Sequence, residues 1–161
     1  MRTHEPTAFN LLLEAYCRSI GMGDVEIGPE GGIFEIGDVE VAVQHDDEFE
    51  RLSMMTVVET VPVERLPQLA PQLLQLNAAL ALSGGHAFCA DIESGELRLY
   101  ISLALNNTTS EDIDEELAAL VAKCRAAREL LGAMNEADNL LQAAASEETK
   151  ESEDGMVKFK G

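Results

Sequence analysis

The histidines and cysteines, the side chains most often used for nucleophilic or transition-metal chemistry, are few in this chain and scattered. The three histidines are His4, His45 and His86, and the three cysteines are Cys17, Cys89 and Cys124. A zinc site or a redox pair needs closely spaced cysteines, and no two here are close. Each lies in an apolar run, which reads as a buried, reduced thiol. His45 precedes Asp46 and Asp47, but the run HDDEFE lacks the alternating ligands and turn glycine of a calcium loop. It reads as a solvated loop. His86 opens an extended segment after Gly84-Gly85. No GxxxxGK[ST] loop, GxGxxG turn or GxSxG elbow occurs, and Gly21-Met22-Gly23 is followed by acids that oppose a bound phosphate. Carboxylates are too abundant for any pair of them to mark a site. These residues point away from an enzyme and imply no cofactor and no metal.

Charge and length narrow the classes further. The 161 residues carry a net charge of −19. From Ser19 to Glu50 there is no Lys or Arg, while Asp24, Glu26, Glu30, Glu35, Asp38, Glu40, Asp46, Asp47, Glu48 and Glu50 accumulate. Such a surface repels nucleic acid and anionic membranes and favours a cationic or amphipathic partner. The N-terminal MRTHEPTAF has no signal-peptide core, and no run is long and apolar enough to insert in a membrane. The chain reads as a soluble, cytoplasmic protein of one domain, residues 1–145, with a charged and disordered tail, 146–161.

The elements that would position a binding surface follow from periodicity. Thr7 to Ile20 repeats Phe9, Leu12, Leu13, Tyr16, Cys17 and Ile20 at helical spacing and stops at Gly21. Val25 to Ile27 is a short extended piece. Ile33 to Ile36 and Val39 to Val43 are strands joined across Gly37-Asp38, and Leu52 to Val61 is a longer strand ended by Pro62. Met54, Met55, Val57 and Val58 leave both faces of that strand partly apolar. His86 to Ile92 and Glu96 to Leu105 flank the turn Glu93-Ser94-Gly95, a hairpin signal. Thr109 or Ser110 caps a last helix whose apolar face runs from Ile113 to Leu131, with helicity to about Ala145. The order is helix, three strands, helix, two strands, helix: an α+β domain with an antiparallel sheet.

The middle helix, Val63 to Leu82, is the most informative element. Leu66, Leu69, Leu73, Leu76 and Leu80 make one stripe, and Ala70, Leu74, Ala78, Ala81 and Leu82 widen it. A helix apolar over most of its circumference must be covered on more than one side. In a chain this short the second cover is another copy of the chain, so a homodimer is expected. Pro67 and Pro71 predict a helix that begins near Pro71 or is kinked there.

The order of elements, the acidity and the local text Leu73-Leu74-Gln75-Leu76-Asn77, then Ala87-Phe88-Cys89-Ala90-Asp91 and Ser94-Gly95-Glu96-Leu97, resemble the class I type III secretion chaperones of the Tir chaperone family, over residues 7 to 135. The resemblance implies a homodimer that binds the N-terminal region of a secreted effector in extended form and keeps it soluble and secretion-competent without ATP. It implies dimer contacts at Leu69, Leu73, Leu76, Asn77 and Leu80. It implies effector patches on the exposed side of the first helix, at Phe9 and Leu13, and on strands at Val41, Val43, Met54 and Val58. Two other readings remain open: a related dimeric α+β regulatory module outside secretion, and a small ligand-binding domain or enzyme with a pocket around His86 and Tyr100.

Overall fold

Strict alternation builds the sheet. In strand β2, Val39–Asp46, the valines at 39, 41 and 43 point one way and Glu40, Ala42 and Gln44 the other; only the valines are buried. Strand β3, Arg51–Thr60, repeats the pattern, burying Leu52, Met54, Thr56 and Val58. Strand β1, Gly31–Ile36, pairs antiparallel with β2 across the Gly37-Asp38 turn. Strands β4, Ala87–Ala90, and β5, Glu96–Ala104, form the second hairpin. β5 pairs antiparallel with β3, giving one five-stranded sheet in the order β1-β2-β3-β5-β4. The computed structural model describes residues 7–154, with side chains over 7–143. His4 and positions 155–161 of the expected tail lie outside the described residues.

The helices cover one face of this sheet. Helix α1, Ala8–Ser19, is started by a reciprocal cap between Thr7 and Asn10, and it buries Phe9, Leu13, Tyr16 and Cys17. Phe9 stacks on the His45 ring, with centroids 4.9 Å apart. Helix α3, Ser110–Asp154, buries Ile113, Leu117, Leu120, Val121 and Cys124 in its first turns. Cys124 lies against Thr56 and the Val57 carbonyl of β3, both at 3.9 Å. The opposite face of the sheet has no such helix-buried row.

The short extended piece Val25–Ile27 belongs to the loop leading into β1. Two expectations change. Helix α2 spans Leu66–Leu82 after a single 3₁₀ turn, Val63–Arg65, so Pro67 sits in the first turn where its missing N–H is not needed, and Pro71 lies inside the helix. The helix backbone of α3 continues past Ala145 to Asp154. The chain divides into two compact units, residues 1–125 and 126–161, and α3 contributes to both.

Candidate interaction surfaces

Helix α2 contains no charged residue; its polar side chains are Gln68, Gln72, Gln75 and Asn77, so it lacks the usual charged face of a surface helix. Within the chain only Leu66 and Leu69 are buried. Leu73, Leu76, Asn77 and Leu80 are half-buried, whereas Leu74 is 69 % and Leu82 92 % exposed. Of the five residues expected at a dimer contact, Leu69 is therefore spent on the chain's own core and four remain partly open. The most exposed apolar groups, Leu74 and Leu82, are those that widened the stripe.

The neighbour of α2 is the edge strand β4. Asn77 fixes the two together: its Nδ2 donates to the Phe88 carbonyl at 3.0 Å, and the Phe88 N–H donates to Asn77 Oδ1 at 2.6 Å. One side chain thus satisfies both backbone groups of a residue on a sheet edge, which stops that residue from recruiting another strand. Ala87 and Phe88 are half-buried, and Cys89 and Ala90 are exposed, so the uncharged surface continues from helix to strand.

His86 anchors the start of β4. It is buried, Lys123 Nζ donates to its Nδ1 at 2.8 Å, and Nε2 lies 3.4 Å from a Glu116 carboxylate oxygen without hydrogen-bond geometry. Burial first, then the Lys123 charge, lower the His86 pKa below its ordinary 6.5, and burial raises that of Glu116. Tyr100, 39 % exposed, is on the helix-free face of β5. The structure therefore does not join His86 and Tyr100 into one polar pocket.

The other edge of the sheet carries a cleft of about 540 Å³ between α1, the loop after it and β1. Its apolar lining includes Tyr16, Ile20, Met22, Ile33 and Phe34, and its acids are Glu26, Glu35 and Glu40. Asn10 holds the loop in place, its Nδ2 donating to the carbonyls of Ile27 at 3.0 Å and Gly28 at 3.2 Å. Tyr16 packs edge-on against Phe34 and donates to Asp114 at 3.3 Å. Burial and that carboxylate push its phenol up to about 12, so it stays a neutral donor. Gly31 starts β1 at φ 106, and a Cβ there would lie 1.9 Å from the Val43 carbonyl oxygen. Only glycine fits.

The residues expected to form effector patches lie elsewhere. Phe9, Leu13, Val41, Val43, Met54 and Val58 are all buried, at 3 % exposure or less. The exposed side of α1 carries Leu11 instead, and the open side of the strands carries the alternate residues. Ile33, Ala42, Met55, Tyr100 and Ala87 are register partners that cross all five strands in one row. Of the six expected residues, Leu13 also lines the cleft. The cleft itself was missed because its walls come from a loop with no periodicity, although the glycines at 28, 31 and 32 marked an unusual approach to β1.

Among the described residues no helix is long and apolar enough to cross a membrane. Comparison with curated proteins gives no match. Among solved structures the chain is similar to one determined as the HopA1-SchA chaperone-effector complex: TM-score 0.63, 23 % identity, covering 76 % of this chain and 94 % of that one. It is also similar to one determined as the ExsC-ExsE complex, with TM-score 0.64, 23 % identity and coverage of 78 % and 94 %. A third is the Yersinia pestis type III secretion chaperone SycH, determined with a stable fragment of YscM2: TM-score 0.60, 21 % identity, coverage 73 % and 98 %. These likenesses concern the fold. A family description, the Tir chaperone protein (CesT) family, matches residues 12–128, which takes in all five strands, α2 and the ends of α1 and α3 that face them. By that match the chain belongs to the Tir chaperone protein (CesT) family.

Proposed function

We propose that this protein is a type III secretion chaperone that works as a homodimer in the bacterial cytoplasm. It binds the N-terminal region of a secreted effector in extended form and keeps that region soluble and secretion-competent without ATP. The observation that carries the reading is the acid-rimmed apolar cleft beside β1, the outermost strand of the described sheet, in a chain of this family. An extended segment can add main-chain hydrogen bonds along an open strand edge while placing alternate apolar side chains in an adjacent groove. Glu26, Glu35 and Glu40 would then meet basic residues flanking those anchors. The fold is shared with proteins that were solved with a protein partner.

Dimerisation is assigned to the uncharged face of α2 with β4. The contact residues proposed are Leu73, Leu76, Asn77 and Leu80, with Leu74 and Leu82 added. The effector contacts proposed are Ile33 and Phe34 in the cleft, with Leu13 beneath them.

The test is co-expression with the N-terminal segment of a secreted protein encoded beside this chain. Light scattering gives the mass of the complex, and amide exchange maps protection. A complex of two chaperone chains to one segment, with β1 amides newly protected, is expected. A folded dimer that takes no such segment would favour the regulatory module outside secretion. Protection confined to α2 would remove the cleft from the reading.

A further inference from the structure

The family match ends at residue 128, yet α3 continues to Asp154. The neighbouring structures are covered over 94 % of their own length by 76–78 % of this chain, so this chain carries helix beyond the shared fold. That helix has its own pattern. Leu130, Met134, Ala137 and Leu141 follow spacings of four, three and four residues, the seam of a coiled coil, and Leu140 widens it. Leu130 is 43 %, Leu140 72 % and Leu141 69 % exposed. The charge is one-sided: from Glu129 to Thr149 there is no Lys or Arg, while Glu129, Glu136, Asp138, Glu147 and Glu148 are acidic. Between Glu129 and Asp154 eight acids stand against the single cation Lys150, so two copies of this segment side by side would add mainly repulsion between chains of net charge −19. A helix with an apolar seam flanked by Lys or Arg would gain both burial and charge pairing.

We infer that the α3 segment beyond residue 128 is a docking helix for a basic amphipathic helix of another protein. Gly132 fits this role: a Cβ there would meet nothing within 4 Å, so its cost to the helix is not offset by any close packing.

The test uses the full chain and two synthetic helical peptides with the same Leu/Ile seam, one flanked by Lys and the other by Glu. Titration followed by fluorescence anisotropy should show saturable binding of one Lys-flanked peptide per chain, weakening with salt, and none of the Glu-flanked peptide. Leu140→Glu with Leu141→Glu should lower that affinity by roughly tenfold or more, because a charge enters the apolar seam. The variant should keep the mass and circular dichroism of the parent. Gly132→Ala should raise affinity roughly two- to fivefold by favouring the helix before binding. Equal binding of both peptides, or of neither, would overturn the proposal. So would a fall in the mass of the free protein on Leu140→Glu/Leu141→Glu, since the seam would then be covered by a second copy.

Discussion

The two edges of the sheet solve opposite problems with opposite chemistry. At the β4 edge, Asn77 closes the Phe88 backbone and α2 presents leucine and alanine with no charge. At the β1 edge no further strand is paired among the described residues, and the apolar groove beside it is bordered by Glu26, Glu35 and Glu40. A chain of net charge −19 can meet its own copy closely only where acids are absent, because like charges brought together out of water repel strongly. Helix α2 meets that condition and the β1 edge does not. On the proposed assignment, the acids that oppose a second copy at β1 would attract a basic, unfolded segment. Charge placement would then sort one surface to self and the other to client.

The sharpest way to break this division is to put charge on α2. Leu73→Glu with Leu76→Glu should give monomer or insoluble protein, since each unpaired buried charge costs several kcal/mol or more. Leu74→Glu separates assembly from folding: at 69 % exposure it has little to lose within the chain, so a folded monomer by light scattering is the expected outcome. A dimer that survives Leu74→Glu with unchanged affinity would remove this face from the interface. The counterpart at the other edge is Gly31→Ala. The clash with the Val43 carbonyl and the positive φ should cost roughly 1–3 kcal/mol, with a lower Tm and weaker client binding but an intact dimer.

How far such surfaces were legible in the sequence depends on what encodes them. α2 announced itself because an uncharged, leucine-dense helix contradicts the pattern of a surface helix, and that contradiction is local. The strand order was legible for the same reason, through alternation and turn residues. The inward face of β2 was legible too, since Val39, Val41 and Val43 alternate with Glu40 and Gln44. That of β3 was not: Met54 and Val58 alternate with Met55 and Val57, so both of its faces are partly apolar, and only the helices packed on one side decide the matter. Phe9, Leu13, Val41, Val43, Met54 and Val58 were implied by the family resemblance through matching of elements, which carries no information on which face is covered, and all six are buried. The long apolar side chains of α1 were read without the sheet they cover. Pro71 shows the limit of a local rule: a proline inside a helix is locally costly, yet α2 begins before it, at Leu66.

Asn77 offers a finer test of the β4 edge. Asn77→Ala leaves the Phe88 N–H and carbonyl without their partner, at a cost of about 1–3 kcal/mol if water does not replace it. The expected signs are a lower Tm and faster amide exchange at Phe88, with dimer affinity falling more than client affinity. His86 gives the same edge a pH dependence. Its folded pKa is below its unfolded 6.5, so the unfolded chain takes up the proton first, and stability is full above 6.5 and declines as pH falls below it. His86→Gln should flatten that decline in urea titrations between pH 6.5 and 5.5. An unchanged slope would mean that another group sets it.

The smallest effect expected is the one that bears most directly on the β1 edge. Glu26, Glu35 and Glu40 border the cleft and are exposed, so replacing all three by glutamine should leave Tm nearly unchanged. What should change is the encounter. Rim charges act mainly on association rate, so the client on-rate at low salt should fall, by roughly tenfold for the three together, while the off-rate stays close to that of the parent. Raising the salt should slow the parent and barely affect the variant, bringing the two together. The same triple substitution should not alter dimer affinity, because these acids lie on the edge that a second copy avoids. If it strengthened dimerisation instead, the acids would be holding copies apart at β1 itself, and the division between the two edges would be one of degree.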